Sequence, residues 1–103
     1  MSEKVKVGLI VRLIAKTGKE NEVAAFLAGA ESLANAERFT PAWFALRIEP
    51  SIFYIVDVFA NEDDRGKHLS GEIAKALMTK ASELFAEPPK IEKSSVLGVK
   101  LPG

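Results

Sequence analysis

The chain has 103 residues, in which 14 basic and 14 acidic side chains balance, with one histidine and no cysteine. That length suits one compact domain, residues 1–103, with a single two-layer core. Balanced charge argues against nucleic acid as a partner, and the lack of cysteine excludes disulfides and thiolate metal sites. No apolar run approaches the ~20 residues needed to cross a bilayer. The start, Met1 to Lys6, also lacks the apolar stretch of a signal peptide, so the expectation is a cytoplasmic protein with no membrane partner.

In chain order, Lys4 to Lys16 reads as a long first strand, with Val5, Val7, Leu9, Val11 and Leu13 on one face. Thr17-Gly18-Lys19-Glu20 has the pattern of a capping box, which predicts a helix directly after it. Val23, Phe26, Leu27, Ala30, Leu33 and Ala34 then repeat at helical spacing and should face the core, until Pro41 ends the helix near Ala36 to Phe39. Ala42 to Glu49 predicts a second strand, with Phe44, Leu46 and Ile48 on one face and Trp43, Ala45 and Arg47 on the other. Pro50-Ser51 is too short a link for anything but an antiparallel hairpin into Ile52 to Ala60, the most aromatic and β-branched run in the chain.

Within that run Phe53, Ile55, Asp57 and Phe59 share one face, so a carboxylate interrupts an apolar stripe and needs a partner. Asn61 is a natural N-cap, and Glu62, Asp63 and Asp64 suit the first turn of a short helix that carries His68. One hairpin register puts Arg47 on the face of Asp57, where the two would form a structural ion pair; the other register does not. Asp64 and His68 stand four apart, a spacing that an i,i+4 charge pair explains better than a metal site. Ser70 can cap a longer helix to about Ala86, stopped by Pro88-Pro89, and Ile91 to Leu101 predicts the last strand.

The order βαββαβ, with one extra short helix, points to an α+β ferredoxin-like sandwich: a four-stranded antiparallel sheet with its helices on one face. The other face would expose Ile52, Tyr54, Val56 and Val58, and a homodimer formed through that face is the simplest cover.

In Lys16-Thr17-Gly18-Lys19-Glu20, in Pro41-Ala42, and in Asp57-x-Phe59 followed nine residues later by His68 and then Leu69-Ser70-Gly71, the chain resembles the antibiotic biosynthesis monooxygenase (ABM) domains, which are dimeric α/β barrels. It departs from them in carrying Asp57-x-Phe59 where members often have Glu-x-Trp, and Ala42 where they have Gly. The resemblance implies a pocket between sheet and helices in each subunit, where some members oxidise phenols or quinols with O₂ and no cofactor. The haem-degrading members use an asparagine on the first strand, and Val5 to Ile14 contains none.

On this resemblance the expected function is a cofactor-free monooxygenase of a small phenolic or quinol-type aromatic. His68 would be the proton acceptor, and Asp57 or Arg47 would orient it or hold the developing anion. Phe59, Phe53 and Trp43 would line the cavity. Two other classes compete: a binding or sensing dimer that uses the pocket without chemistry, and a self-association or interaction domain whose pocket is filled by Phe59, Phe53 and Met78. As a pocket residue, His68 should be replaceable by alanine with little loss of stability, whereas loss of Asp57 should leave a partner unpaired.

Overall fold

A computed structural model describes residues 5–102. The expected start of the first strand at Lys4 lies outside them. Seven β-branched and aromatic residues of eight make Ile52–Phe59 (β3) one of the two inner strands of the sheet. It pairs antiparallel with Val7–Ile14 (β1) on one side and Ala42–Glu49 (β2) on the other, while Lys90–Ser95 (β4) adds to the far side of β1. The order β2-β3-β1-β4, with helices Glu20–Ala36 (α1), Glu62–Leu69 (α2) and Glu72–Leu84 (α3), is the expected ferredoxin-like α+β fold.

Strand alternation decides which face is buried. Leu9, Val11 and Leu13 of β1 and Phe53, Ile55 and Phe59 of β3 are buried, and Val23 and Leu27 of α1 and Leu77 and Leu84 of α3 pack in the same core. A carbonyl and a side chain, Asp57 O and Ser94 Oγ, lie 2.8 and 2.9 Å from where a Cβ on Gly8 would stand, so this position of β1 has no room for a side chain. On the opposite face Ile10, Phe44, Leu46 and Ile48 are all more than a third exposed. No helix among the described residues is long and apolar enough to cross a membrane.

Four local expectations are corrected. Gly18 adopts a left-handed φ of 89°, which delays the helix, so α1 is capped at Lys19 without a side-chain bond and Glu20 accepts from Gly18 N–H instead of completing a box with Thr17. Ser70 does not cap α3; its hydroxyl bonds back to the carbonyls of Gly66 and Lys67 at the end of α2, and Gly71 precedes α3. β4 stops at Ser95 because β1 offers no strand partner beyond Val7, and Val96 N–H makes one last bond to Lys6 O. Leu33, expected inward, is 39% exposed on α1.

Arg65 docks α2 on the sheet. Its guanidinium is buried and donates to Gly8 O (3.0 Å) and Ser94 O (3.1 Å), with Glu62 as its ion-pair partner. Replacing Arg65 by Met keeps the stem but removes the charged donor from both carbonyls, and should cost about 2–3 kcal/mol in urea denaturation. A change below about 0.5 kcal/mol, the usual effect of a surface substitution, would show that Arg65 does not hold the helix.

Candidate functional site

Asp57 is the one charged residue on the buried face of β3, and its side chain is wholly removed from solvent. The chain answers it from α2. Asn61 caps that helix by accepting from Asp64 N–H (2.8 Å), and the register this sets turns His68 inward two turns later. His68 Nε2 lies 2.9 Å from Asp57 Oδ2, and the imidazole sits 5.1 Å from the Phe59 ring, tilted by 41°. The approach to Asp57 is close but off the N–H axis, so it is an ion pair rather than an aligned hydrogen bond, and neither Asp57 oxygen has an aligned donor among the described residues.

The other ring nitrogen meets a residue that the sequence did not single out. Nδ1 lies 2.7 Å from Glu37 Oε1, an oxygen that also accepts from the Thr40 hydroxyl (2.8 Å). Gly71 closes the cluster, since a Cβ there would stand 3.0 Å from Glu37 Oε2. Glu37 is the C-cap of α1, which has no basic residue in its last turn. An anion at a helix C-terminus is opposed by the helix dipole, and that was the available signal that Glu37 must have a cationic partner elsewhere.

With a carboxylate on each nitrogen, the imidazole is best paired as an imidazolium. Burial alone would lower its pKa, but the contacts and charges of Asp57 and Glu37 prevail and hold it above the ordinary value. Burial pushes Asp57 up as well, His68 only partly offsets this, and the charge of Glu37 adds to it. The cluster thus keeps a proton that the unfolded chain would give up.

Arg47 is not a partner of Asp57. The hairpin register does place both on the buried face, but Trp43 stands opposite Asp57 and Arg47 opposite Phe53, four residues further along. At a rise near 3.3 Å per residue this is about 13 Å. The Arg47 guanidinium instead donates to Pro50 O through Nε (3.2 Å) and Nη2 (2.8 Å), and lies 5.0 Å from the centre of the Phe53 ring. Asp64 pairs with Lys67 (3.7 Å) rather than His68, and no group of three potential ligands among the described residues is placed to share a metal ion.

The expected lining residues fall into two places. Trp43, Arg47 and Phe53 border an open groove between α1 and β2: one lobe of about 160 Å³ holds Leu27, Ala45, Arg47 and Phe53, and an adjoining lobe of about 270 Å³ holds Leu27, Glu31 and Trp43. Neither lobe contains His68, Asp57 or Phe59. Met78 is 58% exposed on α3 and fills neither lobe. Trp43 Nε1 is buried without a hydrogen-bond partner among the described residues.

The cluster makes stability fall as pH rises. The folded-state pKa of His68 lies above the unfolded value of ~6.5, so its stabilisation is full below that pH and is lost as pH rises through the folded value. Asp57 acts in the same sense, because above ~3.9 and up to its own raised pKa the folded state binds the additional proton. The melting temperature should therefore be lower at pH 9 than at pH 6, and equal values would contradict the cluster. His68→Ala removes the cation between the buried Asp57 and the part-buried Glu37 and should cost about 3–5 kcal/mol, which replaces the sequence expectation of little loss.

No family model matches the chain, and no curated protein matches it in sequence. Among solved structures, a protein of unknown function from Nitrosomonas europaea is 51% identical, with a TM-score of 0.96 over 98% of each chain. A candidate antibiotic biosynthesis monooxygenase from Nitrosomonas europaea shares 17% identity at TM-score 0.79, over 89% of this chain and 90% of that one. Another, from Caulobacter crescentus, shares 17% at TM-score 0.78 over 93% of each. The chain therefore belongs to one family with the Nitrosomonas protein of unknown function, and its fold is that of the antibiotic biosynthesis monooxygenase domains.

Proposed function

We propose that this protein is a homodimer that binds a small phenolic or quinol-type aromatic in the groove between α1 and β2 and oxidises it with O₂, without a cofactor. The observation that carries the proposal is the composition of the groove. Its walls, Leu27, Ala28, Ala45 and Phe53, are apolar, and the Arg47 guanidinium stands at its edge over the Phe53 ring. Such a site suits a planar ring whose hydroxyl has ionised, since the ring packs on Phe53 while Arg47 lowers the cost of the phenolate charge.

The chemistry needs little more from the protein. A phenolate gives one electron to O₂, the two radicals combine as a peroxide at a ring carbon, the peroxide takes a proton from solvent, and loss of water with that carbon's proton leaves a quinone. Arg47 stabilises the anion from which the electron departs. His68 has a carboxylate on each nitrogen and offers no free lone pair, so in this reading Arg47 meets the substrate. Asp57 and His68 lie outside both lobes, with Asp57 opposite Trp43 in the sheet. The same engagement of His68 favours, as a second reading, a dimer that binds such a ring without oxidising it.

The bare sheet face supports the dimer. Phe44, Leu46 and Ile48 are 46–60% exposed, next to Ile52, Tyr54, Val56 and Val58 on the same face. A patch of this kind is what self-association would cover.

Screening quinols and polyphenols in an oxygen electrode tests the activity: O₂ uptake without added cofactor supports oxidation, and saturable binding without uptake supports the second reading. Arg47→Gln should weaken binding of the active ring about 10-fold or more, and unchanged binding would remove the groove from the proposal. Val56→Glu places an unpaired charge in the apolar face and should yield monomers in sedimentation, if the wild type sediments as a dimer at micromolar concentration.

A further inference from the structure

The buried cluster and the groove meet at one end. α1 and β2 are the two walls of the groove, and the only chain between them is the segment 37–41. Glu37 opens that segment and is tied to His68, while Thr40, near its other end, donates to the same Glu37 oxygen. On the β2 side Trp43 is the cross-strand neighbour of Asp57, which holds the other nitrogen of His68. One imidazole thus pins the α1 wall through Glu37 and backs the β2 wall through Asp57.

We propose that Glu37 is a positioning residue: through His68 it fixes the segment joining the two walls, and so couples the shape of the Trp43 end of the groove to the presence of one proton on His68. The charged groups that face the imidazole are Asp57 from β3 and Glu37 from the segment after α1. On α2 itself, Lys67 lies 6.0 Å from the Phe39 ring and Arg65 is engaged by β1, β4 and Glu62. When the imidazolium loses its proton, a buried and a part-buried carboxylate flank a neutral ring that can donate to only one of them. The contact to Glu37 is the one that can open, because Glu37 is 10% exposed while Asp57 is fully enclosed. Release of Glu37 frees the segment and with it the Trp43 end. That the groove takes a ligand rests on the function proposed above; the coupling itself does not.

Trp43 is the only tryptophan in the chain, so its fluorescence reads this end without any ligand. Acrylamide quenching of Trp43 in the wild-type protein should rise between pH 6 and 9.5, with a midpoint above ~6.5. Glu37→Gln should lower that midpoint by about one pH unit, since one of the two carboxylates that favour the imidazolium is gone. A pH-dependent signal from the N-terminal amine would not move with Glu37. If Glu37→Gln does not fold, Thr40→Val serves instead, removing the hydroxyl that anchors the Glu37 carboxylate and shifting the midpoint by a smaller amount. Quenching that stays flat across the range, or a midpoint that neither variant moves, overturns the proposal. Absence of oxygenase activity leaves it intact.

Discussion

One imidazolium between a buried and a part-buried carboxylate joins parts of this molecule that are far apart in the chain. Asp57 comes from an inner strand, Glu37 from the end of the first helix and His68 from a short helix with almost no apolar surface of its own. A carboxylate on the core face of β3 is tolerable only if a cation reaches it, and the cation is tolerable only if its second nitrogen is also paired. The fold meets both conditions with a single side chain. α2 is polar along most of its length, and it stays on the sheet because His68 and Arg65 each find partners in the layer below.

The same arrangement changes what the histidine can do. An imidazole with one free nitrogen is a base near neutral pH; an imidazole with a carboxylate on each nitrogen is a fixed cation that releases its proton late. In the function proposed above, the role at the groove therefore falls to Arg47, which has no part in the buried cluster and lies about 13 Å along β2 from the strand position facing Asp57. The molecule separates a buried charge that maintains shape from an exposed charge that meets solvent. In the coupling proposed above, segment 37–41 is where the two communicate.

Much of this was legible in the sequence because it follows from periodicity. The alternation in Ile52–Phe59 marked Asp57 as an inward carboxylate, the Asn61 cap placed His68 on the adjoining helix, and the two-residue link between Glu49 and Ile52 required a hairpin. What could not be read was distance across elements. Glu37 sits 31 residues from His68, and no local pattern ties an acid at a helix end to a histidine on another helix. The hairpin register was likewise open to a shift, and only the observed pairing of Trp43 with Asp57 removes Arg47 from the ion pair. The capping residues Thr17 and Ser70 misled for a simpler reason: a left-handed glycine and a helix end too close to the next helix start changed which residue occupied the cap.

The protonation state of the His68 ring tests the account most directly. In ¹⁵N-labelled protein at pH 7 the single histidine should show the nitrogen shifts of an imidazolium, with both Nδ1 and Nε2 carrying protons. A neutral ring at that pH, with one nitrogen bare, would contradict the paired-cation structure and return His68 to the role of a base.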